Sequence, residues 1–136
     1  MGKMTDSHQT QLSAACLLLS VAQADELLDD EELHIIGVIL TDFFSIDVNN
    51  SEELIQKALE KMKNATGLFE FGQHLNTVFD QDDKLDFITC IFEVAYADGD
   101  LHYLEHHTVK KIAKILNVNR EDIMISKAHM EKYLDL

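Results

Sequence analysis

Val94-Ala95-Tyr96-Ala97-Asp98-Gly99-Asp100-Leu101-His102-Tyr103-Leu104-Glu105 has a counterpart 73 residues earlier, Val21-Ala22-Gln23-Ala24-Asp25-Glu26-Leu27-Leu28-Asp29-Asp30-Glu31-Glu32. Both read V-A-x-A-D-x-x-L-x-x-x-E. Apolar positions continue in register on either side, Leu18 with Ile91, Leu19 with Phe92, Ile36 with Val109, Ile39 with Ile112 and Phe43 with Leu116. Eight of the 27 positions from Leu17 to Phe43 are identical to their counterparts, where composition alone gives roughly two. The reading is a duplicated helix, acidic turn and helix.

Outward from these two units the chain is helical throughout. Ser7 or Asp6 caps a first helix to about Ala24, with Leu12, Cys16 and Leu19 on one face and Leu17, Leu18 and Val21 widening it. Asp29 with Glu32 forms an Asp-x-x-Glu capping box, so a second helix begins at Asp30 and runs to about Phe44. Asp47 to Asn50 reads as a turn, with Asn50 capping a third helix to about Lys63. A fourth spans Leu68 to Phe79, weakened by Gly72 by about 1 kcal/mol relative to Ala. Asp80 to Asp83 opens a fifth, to about Ala97, and a sixth starts near Tyr103 and ends around Leu116. Asn119 with Asp122 caps a seventh, to about Tyr133. No segment alternates with period two. The expectation is one all-α domain over residues 1–136, with about seven helices and two pseudo-symmetric helix-turn-helix units near residues 12–45 and 84–118. Leu19, Val21, Ile36, Ile39, Phe92, Val94, Val109 and Ile112 should form its core, with Ala22 and Ala95 at close helix contacts.

Composition narrows the function. The net charge is −14, and between Lys3 and Lys57 there are eleven acids and no Lys or Arg. Such a surface repels phosphate backbones and anionic headgroups, which argues against nucleic acid and membrane and for a cation or a basic protein partner. The same charge also serves plain solubility. No apolar run is long enough to span a bilayer, the N-terminus lacks a signal-peptide pattern, and Asp6 stands where a myristoylation motif needs Ser or Thr. Cys16 and Cys90 lie in apolar helical patterns and read as buried thiols rather than a bridge, in keeping with a cytoplasmic chain.

The acidic turns are the sequence's main chemical feature. Asp25 and Asp98 fall at helix C-termini, where a carboxylate opposes the macrodipole. Turn aspartates can organise their own loops by accepting backbone N–H groups. The sharper reading is a hard divalent cation, calcium foremost, held as a metal site by Asp25, Asp29 and Glu32 in one turn and by Asp98, Asp100 and Glu105 in the other. Neither turn is an EF-hand, because the second is too short and no Asp-x-Asp-x-Asp-Gly run leads to a Glu.

His102-Tyr103-Leu104-Glu105-His106 matches the H-x-x-E-H pattern of zinc peptidases. The first unit has Asp29 and Leu33 at the places of the two histidines, and His102 stands at a helix cap rather than inside a helix, so the match reads as accidental. A metal-dependent hydrolase using His102, Glu105 and His106 is the rival function, and adventitious zinc or nickel on His102, His106 and His107 fits the same residues. No phosphate loop or nucleophile elbow is present, and neither cysteine has a basic neighbour within a turn to activate it. His34 and His107 match across the repeat and read as partly buried packing residues. Met124, Met130, Tyr133 and Leu134 read as the core-facing stripe of the last helix.

The two copies of A-x-A-D-x-x-L-x-x-x-E, the second followed by Ile112-Ala113-Lys114-Ile115-Leu116-Asn117-Val118, resemble the TerB (tellurite-resistance protein B) family and the related N-terminal domain of DjlA-type co-chaperones. The resemblance covers about Leu12 to Leu134. It implies a cytoplasmic, non-enzymatic α-helical binding module linked to stress or tellurite resistance, with an acidic surface suited to metal ions. Carried over, the acidic positions are Asp25, Glu32, Asp98 and Glu105. Glu26 departs from the Gly of an A-D-G turn, and His102-Tyr103 replaces a small capping residue and a proline. A purely structural module, a monomer or weak homodimer associating through a helix face, is the remaining alternative.

Overall fold

The computed structural model describes residues 7–23, 29–65, 67–97, 101 and 103–135, with the backbone alone at 103. Seven helices are formed among them, and no strand: α1 (His8–Ala22), α2 (Asp30–Phe44), α3 (Val48–Met62), α4 (Phe69–Val78), α5 (Gln81–Ala95), α6 (Tyr103–Ile115) and α7 (Arg120–Tyr133).

The starts follow from side-chain caps that accept otherwise orphaned N–H groups. Ser7 accepts from the Thr10 amide and Asp29 Oδ1 from the Glu32 amide. Asp80 and Asp83 form a reciprocal capping box, and Asn119 Oδ1 accepts from the Asp122 amide. The third helix departs from the sequence reading. It begins at Val48 because Asp47, not Asn50, is the cap, its Oδ1 accepting from the Asn50 amide at 2.7 Å. Asp47 was hidden in what reads as turn composition.

The centre of the fold is α1. Residues Ala14 to Leu19 are entirely buried, as a helix that is apolar on every side must be. It packs against α2, α3, α4, α5 and α6. All eight core positions named from the sequence are buried, and so are Ala22 and Ala95. Phe43, Phe44, Phe79 and Phe87 form a ring cluster with centroids 5.0–5.9 Å apart, joining α2 to α5.

The duplication extends further than the sequence shows. Within each half α1 packs on α2 and α5 on α6, but α3 also packs on α1 as α7 packs on α5. The third helices are therefore part of the repeat, at a register of 72 rather than 73. Left-handed Ser45 and Asn117 end α2 and α6, and the caps Asp47 and Asn119 follow two residues later in each half. Buried Leu54 then matches buried Ser126, and Ala58 matches Met130. One residue lost before α7 shifts the register, and substitution has left no identity between α3 and α7. The element outside the repeat is α4, wedged against α1 and α6. There a Cβ on Gly72 would lie 2.4 Å from Ile115 Cγ2, so the glycine that weakens the helix is what allows the two helices to approach.

Candidate functional site

Helices α2 and α6 each carry a glutamate in the first turn, and both are buried. Glu32 on α2 is 6% exposed and Glu105 on α6 is 2% exposed. They are repeat equivalents, 73 residues apart. A helix N-terminus favours negative charge there, and desolvating a carboxylate otherwise carries a heavy cost. Asp29 is exposed and already serves as the α2 cap. Asp25, Asp98 and Asp100, the rest of the expected metal set, lie outside the described residues, as does His102. Among the described residues no group of three His, Cys, Asp or Glu is placed to hold a metal ion.

The remaining chemical candidates disperse. His106 lies in a groove between α6 and α7, its imidazole pushed below its usual range by burial and by the charges of Lys127 and Lys110. His34 and His107 are exposed, contrary to their reading as packing residues: each sits two positions past a buried glutamate, on the opposite face of its helix. Burial pushes the Cys16 thiol up to about 11. It pushes Cys90 up to about 12, with help from Glu93, so neither is poised as a nucleophile. The stripe on α7 is only half right. Met130 is buried, but Met124 and Tyr133 are exposed, because α7 rests on α5 and turns one apolar edge outward.

Sequence reading missed two grooves that occupy equivalent places in the two halves. One lies between α2 and α3, has a volume of about 390 Å³, and is rimmed by Asp30, Asp42 and Glu52. The other lies between α6 and α7, where α7 packs on α5 and leaves about 760 Å³. Its rim is basic, with Lys110, Lys114, Arg120 and Lys127. Glu131 is also in its lining, and burial together with the Glu131 carboxylate holds the Tyr96 hydroxyl up at about 12. The cluster of cations was legible as composition, since six of the eleven Lys and Arg fall between Lys110 and Lys132. The pocket they line needed the α5–α7 packing.

The duplicated all-α architecture agrees with a comparison against protein families, in which "Tellurite resistance protein TerB" matches residues 11–128. The chain belongs to the TerB family. That match spans α2 to α6, most of α1 and the first nine of the 14 residues of α7. No curated protein and no solved structure matches the chain. Among the described residues of this TerB chain, no helix is long and apolar enough to cross a membrane.

Proposed function

We propose that this TerB-family chain is a non-catalytic binding domain of the stress and tellurite-resistance type, acting in the cytoplasm, whose two acidic turns hold a divalent cation. The observation that supports it is the burial of Glu32 and Glu105 at equivalent places in the two halves. Each would supply an oxygen ligand at the base of its turn, with Asp25 and Asp29 completing the first set and Asp98 and Asp100 the second. An all-oxygen set suits a hard cation such as calcium. The hydrolase alternative draws less support, because Lys110 and Lys127 beside His106 oppose a second positive charge.

The rival to the cation is a pair of structural carboxylates that simply cap and organise their turns. Thermal unfolding separates the two. A ligand specific to the folded state adds about 2.7 kcal/mol at one hundred times its dissociation constant, on the order of 8 °C for a domain this size. Millimolar calcium should raise the melting temperature well beyond sodium chloride of equal ionic strength. Asp98→Asn with Glu105→Gln should diminish that increment and leave the helical circular dichroism unchanged. Equal effects of the two salts would mean that calcium only screens a −14 surface, and a basic partner whose binding weakens steeply with salt would become the better reading.

A further inference from the structure

The two grooves are the same feature with inverted charge. On the second helices Leu33, Gly37 and Thr41 correspond to His106, Lys110 and Lys114. On the third helices, at the 72-residue register, Val48, Glu52 and Ile55 correspond to Arg120, Met124 and Lys127, and all twelve of these residues line the two grooves. Duplication has kept the cleft, while substitution has made one rim acidic and the other basic.

We propose that the α6–α7 groove of one copy docks on the acid-rimmed α2–α3 face of a second copy, head to tail. Charge complementarity selects this occupant. The α2–α3 groove is lined by Asp30, Asp42 and Glu52 and, among the described residues, by no Lys or Arg, Lys57 and Lys61 of α3 lying outside its lining, whereas six of eleven cations lie on α6, α7 and their connection. Each face also presents exposed apolar side chains suited to burial, Met124 beside the basic groove and Val38 and Val48 beside the acidic one. The net charge of −14 opposes association at long range, but at physiological ionic strength the Debye length of about 8 Å screens distant charges more than those in contact. Two different patches make a heterologous contact, which leaves one patch free at each end and lets chains of copies grow rather than close as a dimer.

This docking does not depend on a cation in the acidic turns, so EDTA should leave it unchanged. The test is sedimentation velocity of the full chain over a concentration series in 0.15 M sodium chloride. The mean mass should rise past that of a dimer, and 1 M salt should reverse it. K110E with K127E should weaken association at least tenfold, and D42K with E52K should do the same. Lys110, Asp42 and Glu52 are exposed and Lys127 half-buried, so folding should survive, with K110Q/K127Q as a milder variant of intermediate effect. An equal mixture of the two reversed variants retains one native pair of patches and sets the two reversed patches against each other with opposite charge, so association should return, to a dimer at least. A monomer at every concentration, association that survives both reversals, or a mixture that stays monomeric would each overturn the proposal. So would a monomer whose melting temperature rises with inorganic phosphate beyond matched sodium chloride, since the groove would then belong to a small anion.

Discussion

Glu93 shows how a single residue can be working against the fold. It lies half-buried on α5, where burial and the Asp42 carboxylate across on α2 raise its pKa. A carboxyl whose folded pKa is raised stabilises the fold below its unfolded value near 4.3. That contribution is lost as pH climbs through the folded value. At neutral pH the ionised form is therefore a cost, and Glu93→Gln should stabilise the protein. The site is partly exposed, so screening keeps the gain below about 1 kcal/mol, or under roughly 4 °C. The gain should shrink as pH falls toward 4. A melting temperature that drops at pH 7 on this substitution would show that Glu93 has a favourable partner. The glutamates of the acidic turns differ from it in place: Glu32 and Glu105 sit in first turns, where the helix N-terminus favours charge.

At the scale of the helices, packing overrides propensity at one glycine and not at another. Gly72→Ala gains up to about 1 kcal/mol of helix propensity but drives a methyl into Ile115, and overpacking costs about 1–3 kcal/mol. Net destabilisation by denaturant titration is the expected outcome. Gly37→Ala meets nothing closer than Ile55 Cδ1 at 3.8 Å and should stabilise by about 0.5–1 kcal/mol. If Gly72→Ala stabilised as well, the α4–α6 approach would not be as close as described. The same contrast explains what was legible in the sequence. Helix existence, the core face and several caps follow from local chemistry, so Asp29 and Asn119 could be read directly, Ser7 as one of two candidates with Asp6, and Asp80 as the first of the acids that open α5. The early start of α3 at Asp47 could not, because acid and amide residues suit turns and caps alike. The membership of α3 and α7 in the repeat was also invisible, since one lost residue broke the register and no identity survived.

For the whole molecule, duplication around the buried α1 sets what can be read and what can be tested. The buried Glu32 and Glu105 were found by sequence as a matched pair, because the repeat preserved them. The basic groove was not, because its cations replace Val48, Gly37, Thr41 and Ile55 rather than matching them. A duplicated fold also predicts a number. If each acidic turn holds a cation through its buried glutamate, calorimetric titration of calcium in 0.15 M sodium chloride should give a stoichiometry of two per chain. It should fall to one in Asp98→Asn with Glu105→Gln. The absence of any saturable heat, or a stoichiometry untouched by those substitutions, would contradict the account.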